Sequence, residues 1–160
     1  MNKKVLSVLV DNTSGVLNRV AGLFSRRGYN IDSLTVGVTQ DPRYSRMTIV
    51  VTGDDDIIEQ IIKQIEKLVD VNKVEVLEDN NSVCRELILT KVKTTPEQRQ
   101  QVMAVADIFR AKIVDVGIDS LIIELTGNQN KLDAFLNLLA DYEILELVRT
   151  GITGLARGTK

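Results

Sequence analysis

The sequence VLSVLVDNTSGVLNRVAGLFSRRG at residues 5–28 contains a strand, a turn and a helix, and the fold prediction rests on it. The almost continuous apolar run from Val5 to Val10 is typical of a strand that is covered on both faces. Asp11 to Gly15 are residue types that favour turns and helix starts. Apolar residues then recur at helical spacing from Val16 to Phe24, and Gly28 is of the type that ends helices.

The residues that follow extend this pattern to a complete βαββαβ unit. β-rich runs at 31–39 and 47–52, separated by a turn at 41–44, predict two more strands. Three aspartates at 54–56 precede a second helix, in the position of caps and dipole complements rather than of a metal site. The apolar face of this helix consists of Ile57, Ile58, Ile61, Ile65, Leu68 and Val69. An alternating run at 71–77 closes the unit, which has the ferredoxin-like order.

The same order repeats after a polar linker at 78–82. The second half is predicted to contain strands at 83–92, 113–116, 121–125 and 142–148, a helix that opens at 94–97 and a helix at 131–140. We therefore predict an α+β protein of two ferredoxin-like βαββαβ domains, residues 1–79 and residues 80–160. The tail from Arg149 to Lys160 fits either a docking strand or a frayed terminus.

The composition is that of a water-soluble globular protein, with 44% hydrophobic and 26% charged residues among 160. The net charge of −2 and the scattered lysines do not form the basic stripe that nucleic acids require. Apolar runs are too short to span a bilayer, and the start lacks the pattern of a signal peptide. The single cysteine, Cys84, is interpreted as a small strand residue and fits a reducing interior. We expect a cytoplasmic protein with no nucleic-acid or membrane partner.

The chain contains no histidine. Catalysis by Ser-His or Cys-His pairs and metal binding through histidine are therefore excluded within it. One cysteine cannot form a thiolate cluster. We expect no catalytic residues and no metal site on this chain.

The loop from Asp11 to Leu17 is the best candidate for a binding site. A helix start presents unpaired backbone N–H groups and the positive end of the helix dipole, which attract carboxylates. Asn12 adds an amide, Gly15 permits close approach of a ligand, and Asn30 supplies a second amide after the helix. A second interpretation is that Asn12 and Ser14 are ordinary helix caps and Gly15 only permits a turn, which capping preferences favour for the loop alone.

Residues 11–20 resemble the ligand loop of an ACT domain, a small module that senses amino acids. Several further segments resemble the small subunit of acetohydroxyacid synthase, also called acetolactate synthase. These segments are 23–36, 41–49, 67–71, 85–87, 108–110, 131–135 and 154–158. The resemblance covers nearly the whole chain, and it is most specific in the first half.

The resemblance implies a non-catalytic regulatory subunit. Such a subunit activates a catalytic large subunit and mediates feedback inhibition by valine in branched-chain amino acid biosynthesis. The resemblance also implies a homodimer through the ACT domains. It places thiamine diphosphate, magnesium and FAD on the catalytic partner and no cofactor on this chain.

By the same resemblance, valine or a related branched-chain amino acid binds between two protomers. The ligand-binding residues it implies are Asn12, Ser14, Gly15, Val16, Leu17, Asn30 and Ile31. Asn12, Gly15 and the backbone of Val16 belong to one protomer, and Asn30 and Ile31 to the other. The helix start would bind the carboxylate, the asparagine carbonyls the ammonium group, and Val16, Leu17 or Ile31 the side chain. We expect leucine and isoleucine to bind more weakly than valine, because one methylene distinguishes ligands by roughly 1–3 kcal/mol.

Three alternatives remain at this stage. One is a stand-alone ACT sensor of another enzyme. Another is an acylphosphatase-like hydrolase, because residues 15–19 resemble a phosphate-cradling loop with an arginine. The third is an RNA-recognition domain, which shares the βαββαβ order but needs exposed aromatic residues that the strand at 47–51 lacks.

Overall fold

The computed structural model describes residues 2–159 and divides them into two units. The first unit contains the described residues up to Cys84 together with those from Ile152 onwards, and the second is Arg85–Gly151. Each unit contains two helices and a sheet whose main path has four antiparallel strands. The predicted α+β class with two βαββαβ units is confirmed.

In the first unit the strand order is β2-β3-β1-β4, which makes β2 an edge strand. Its elements are β1 (Asn2–Asp11), α1 (Val16–Arg26), β2 (Ile31–Val38), β3 (Tyr44–Gly53), α2 (Asp55–Glu66) and β4 (Val71–Leu77). Apolar side chains at alternate positions of β1 and β3 pack against the buried faces of both helices. Leu6, Phe24, Ile49 and Ile65 are almost fully buried in this core.

In the second unit the strand order is β6-β7-β5-β8. A 3-10 turn at Asp79–Asn81 leads into β5 (Ser82–Lys93), α3 (Pro96–Ile108), β6 (Lys112–Val116), β7 (Ser120–Gly127), α4 (Gln129–Leu138) and β8 (Glu143–Arg149). Its separate core contains Ile88, Leu121, Leu132 and Phe135.

From the first strand to the start of the second strand, the two units follow the same backbone plan at positions 82 residues apart. Gly28 ends α1 with φ 70°, and its counterpart Arg110 ends α3 with φ 59° although it is not glycine. β2 begins at Ile31 and β6 at Lys112, and the two strands shift register directly after the counterpart residues Ile31 and Ile113. The repeat that the sequence predicts only as an order of elements therefore extends to the irregularities of the backbone.

The C-terminal tail belongs to the first unit, which differs from the predicted boundary between residues 79 and 80. The Ile152 N–H donates to Ser33 Oγ at 2.9 Å, and residues Thr153–Ala156 form the strand β9, which pairs with β5. Of the two predictions for the tail, a docking strand or a frayed terminus, the structure shows a strand at Thr153–Ala156; its docking on a partner stays a prediction, and Lys160 lies outside the described residues. Local patterns do not predict a contact between residues more than 100 positions apart in the chain.

The predicted apolar face of the second helix is wrong at its ends. α2 ends at Glu66, and Val69 lies beyond it with 92% of its surface exposed. Ile57 in the first turn is also exposed, whereas Ile58, Ile61 and Ile65 are buried. The prediction extended the helical spacing past the end of α2, and it therefore assigned residues outside the helix to its apolar face.

Within residues 2–159, no helix is long and apolar enough to cross a membrane. The same residues contain no group of three or more metal-binding side chains arranged to hold an ion. Asp54 occupies the cap position of α2, although its side chain makes no capping hydrogen bond, and Asp55 and Asp56 lie in the first turn.

Candidate functional site

Helix α1 has an open start. Gly15 is its cap residue, with the left-handed angles φ 86° and ψ −8°, and no side chain caps the helix. The first intrahelical bond runs from Arg19 N–H to the Gly15 carbonyl at 3.0 Å. Across residues 2–159, no partner is found for the backbone N–H groups of Val16, Leu17 and Asn18. Three donors and the positive end of the helix dipole are therefore available to an anion.

The capping interpretation is wrong for Asn12, because its side chain contacts the β2–β3 turn and not the helix. The Asn12 amide donates to the Pro42 carbonyl at 3.0 Å, and its oxygen accepts from Ser45 Oγ at 3.1 Å. Its backbone N–H donates to the Arg43 carbonyl at 2.7 Å. One amide N–H and one oxygen lone pair of Asn12 remain for another partner. Ser14 is exposed and does not cap the helix either.

Arg19 lies beside this loop with its guanidinium engaged. Its Nε donates to the carboxylate of Asp70, which is mostly buried. A Cβ atom built on Gly15 would lie 3.0 Å from Arg19 Nη1. Position 15 therefore combines a backbone that favours glycine with little room for a side chain. The pairing with Asp70 occupies Arg19 Nε and partly neutralises the charge that an acylphosphatase-like loop would use.

The remaining predicted site residues differ in how accessible they are. The Val16 side chain is buried in the core, so among the expected apolar residues only Leu17 and Ile31 can contact a ligand. Leu17 is 45% exposed, and Ile31 is partly buried at the start of β2. Asn30 is exposed, and its amide donates to Asp32 at 3.4 Å, which leaves its carbonyl oxygen as an acceptor.

Within one protomer the two parts of the predicted site lie at opposite ends of the sheet. Ile31 of β2 is opposite Val51 of β3, which is opposite Lys4 of β1. Asn12 follows Asp11, seven residues beyond Lys4 in β1. At about 3.3 Å per residue this separation is roughly 23 Å. A single chain therefore does not bring Asn30 and Ile31 to the start of α1.

Both units match known families. Residues 6–73 match the AHAS small subunit-like ACT domain, and residues 85–158 match the small subunit of acetolactate synthase. The chain is 52% identical to a probable acetolactate synthase small subunit of Archaeoglobus fulgidus, over 99% of each chain. It is 48% identical to the acetolactate synthase small subunit of Haemophilus influenzae, over 99% of this chain and 98% of the other.

The chain belongs to the acetolactate synthase small subunit family. A solved structure agrees: the acetolactate synthase small subunit of Thermotoga maritima is 44% identical, with a TM-score of 0.91 and full coverage of both chains. The first unit of this family member is thus an ACT domain, as the resemblance implied.

Sequence reasoning missed the residues that hold the candidate loop of this small subunit family member in place. Pro42 and Ser45 bind Asn12 from 30 and 33 positions away, and Asp70 binds Arg19 from 51 positions away. The sequence signal was a predicted turn at 41–44, but only the register of β1 with β3 shows that this turn lies against the loop.

The β2–β3 turn is itself held by a compact ion pair. The Asp41 carboxylate accepts from Arg43 backbone N–H at 3.1 Å and from Arg43 Nη2 at 2.7 Å. These hydrogen bonds, together with a smaller contribution from the charge of Arg43, lower the pKa of Asp41 to about 2. The Arg43 guanidinium also lies 5.3 Å from the centre of the Tyr44 ring. The turn that carries the Pro42 carbonyl therefore has a defined shape.

Proposed function

We propose that this chain is the regulatory subunit of an acetolactate synthase. It binds valine where β1 leads into α1, activates the catalytic large subunit in the absence of the ligand and inhibits it when the ligand is bound. The observation that carries this proposal is the open start of α1 beside Asn12, in a chain that belongs to the small subunit family.

The free donors and acceptors of the loop suit a zwitterion. The carboxylate accepts from the unpaired N–H groups at the start of α1, where each charge-assisted bond contributes roughly 1.5–3 kcal/mol before desolvation. The ammonium group donates to the remaining lone pair of Asn12 and to the carbonyl oxygen of Asn30. Leu17 and Ile31 provide the apolar contact for the isopropyl group.

A homodimer through β2 resolves the separation between the two parts of the site. Val38 at the end of β2 is opposite Ser45, which is opposite Val10, so this end of β2 lies at the end of the sheet that carries the loop. A two-fold axis that pairs β2 antiparallel with its copy places the partner's Asn30 and Ile31 at that same end. β2 is an edge strand with Val38 62% exposed, and unpaired edges of this kind favour pairing.

Valine controls the enzyme in this proposal only if it binds two states of the subunit with different affinity. Thiamine diphosphate, magnesium and FAD belong to the catalytic large subunit, which carries out the chemistry. The small subunit contributes the ligand site and the shift between states.

Calorimetric titration of the full chain tests the site. We expect one valine per chain, with leucine and isoleucine weaker by about 5–150-fold, which corresponds to 1–3 kcal/mol for a methylene. Asn12→Ala is expected to weaken valine binding by at least tenfold, because it removes a hydrogen bond to a charged group. Absence of valine binding, or unchanged affinity in Asn12→Ala, would contradict the proposal.

Turnover of the catalytic large subunit tests the regulatory role separately. Adding the full chain is expected to raise turnover, and adding valine to lower it again. A large subunit that is equally active with and without this chain would show that the chain regulates something else.

A further inference from the structure

The amide of Asn12 is positioned by the β2–β3 turn and not by its own helix. Its side chain has two partners, the Pro42 carbonyl in the segment that joins β2 to β3 and the Ser45 hydroxyl near the start of β3. The backbone N–H of Asn12 binds the next carbonyl of the same turn, that of Arg43. Three hydrogen bonds therefore connect the loop before α1 to this turn and to the start of β3.

These partners determine which way the amide faces. The Pro42 carbonyl can only accept, so the NH2 group of Asn12 must face it. The Asn12 oxygen then faces Ser45, whose hydroxyl must donate. Because both contacts are fixed, the remaining N–H and the remaining lone pair of Asn12 also have fixed directions. A rotated amide would place two oxygens against each other at Pro42.

The position of Ser45 suits it to orient the Asn12 amide and does not suit it to contact a ligand directly. It is 8% exposed, lies near the start of β3 opposite Val10, and its hydroxyl has Asn12 as its hydrogen-bond partner. Its burial separates it from a ligand at the exposed start of α1. An effect of Ser45 on binding must therefore act through Asn12.

We propose that Ser45 is a positioning residue for the amino-acid site: its hydroxyl holds the Asn12 amide so that the free oxygen lone pair meets the ammonium group of the ligand. This inference rests on the proposed function and specifies how the site recognises the charged amine. The ion pair between Asp41 and Arg43 supports it by fixing the turn that carries the Pro42 carbonyl.

A double-mutant cycle in the full chain tests this role, with valine affinity measured by calorimetry. Ser45→Ala is expected to raise the Kd about fivefold, the effect of one net hydrogen bond of about 1 kcal/mol. In the Asn12→Ala background the same substitution is expected to change the Kd less than twofold. An unchanged Kd in Ser45→Ala, or two effects that simply multiply, would overturn the positioning role.

Ser7→Ala is the matched control. Ser7 is also a buried serine of the same sheet, but its hydroxyl accepts from Arg46 Nη1 at 2.8 Å and does not contact Asn12. Its removal is expected to lower the melting temperature without changing the Kd for valine. If Ser7→Ala weakened binding as much as Ser45→Ala, the effect of Ser45 would be one of general stability.

A measurement that needs no ligand separates this inference from the proposed function. A native chain that binds no amino acid would refute the function. In that case, hydrogen exchange of the Asn12 side-chain amide, followed by NMR, still reports the positioning. Exchange is expected to accelerate several-fold in Ser45→Ala and not in Ser7→Ala, and equal rates in all three chains would overturn the inference.

Discussion

The two units differ most where the first strand leads into the first helix. In the first unit four residues, 12–15, separate β1 from α1, and the helix start is uncapped. In the second unit only Thr94 and Thr95 separate β5 from α3. When counterpart positions are compared, α3 begins two residues earlier than α1. There Thr95 Oγ1 accepts from the Gln98 N–H at 3.2 Å, and the Gln98 side chain accepts from the Thr95 N–H at 3.0 Å. Residues at the start of α3 thus bind each other's backbone N–H groups through their side chains.

Other residues of the second unit also differ from their counterparts in ways that make its helix start less open to a ligand. Pro96 is the first residue of α3 and has no N–H to offer. Arg99 donates to the Gly117 and Ile118 carbonyls at 2.6 and 2.7 Å. The counterpart of Asn30 is Lys112, a cation that would repel an ammonium group. The same backbone plan therefore forms an uncapped helix start in one unit and a capped helix start in the other.

Closing the open helix start should have the largest effect. Gly15→Asp places a carboxylate at the cap of α1, where it accepts from the free N–H groups and forces a Cβ against Arg19. We expect valine affinity to fall more than 100-fold, since at least two charge-assisted bonds of about 1.5 kcal/mol each are lost. Calorimetry on the full chain checks this. Gly158→Asp, at another positive-φ glycine with open space around it, should leave affinity unchanged, and a similar loss there would contradict the explanation.

Asn30, the acceptor that the proposed dimer supplies from a neighbouring protomer, should have the next largest effect. Asn30→Ala is expected to weaken valine binding about tenfold, because it removes one hydrogen bond to a charged group. Lys112→Ala at the counterpart position should not change the titration. Equal affinity for the native chain and Asn30→Ala would show that Asn30 does not contact the ligand.

The caps of the two helices give a smaller, purely structural difference. Thr95→Ala removes the cap of α3 and should cost about 1 kcal/mol of unfolding free energy. Ser14→Ala should cost almost nothing, because Ser14 does not cap α1. Urea unfolding followed by circular dichroism measures both. A larger loss in Ser14→Ala than in Thr95→Ala would mean that a side chain caps α1 and that none caps α3.

The smallest effect concerns the turn that holds Asn12. Because the folded-state pKa of Asp41 is lowered to about 2, its ion pair stabilises the fold fully above its usual pKa of 3.8. This stabilisation is lost as the pH falls through 2. Asp41→Asn should therefore melt slightly below the native chain at pH 7, with a difference that shrinks toward pH 2. A difference that grows on acidification would have the wrong sign.

Local sequence patterns were sufficient for most of the fold because apolar spacing, Gly28 and Pro96 act on neighbouring residues. They could not predict the contacts of the tail, where Ile152 binds Ser33 across the chain. They named Asn12 as a site residue but misjudged what it touches, since Pro42 and Ser45 reach it only through strand register. One practical consequence follows: a chain cut after residue 79 would also lose this tail, so it would not isolate the role of the second domain.

The most direct test of the difference between the two helix starts is an amide NMR titration of the full chain with valine. We predict saturating shifts at Val16, Leu17, Asn18 and the Asn12 side chain, with none at Gln98 or Arg99. Shifts at the start of α3, or no shifts at the start of α1, would contradict the assignment of the amino-acid site to the first unit.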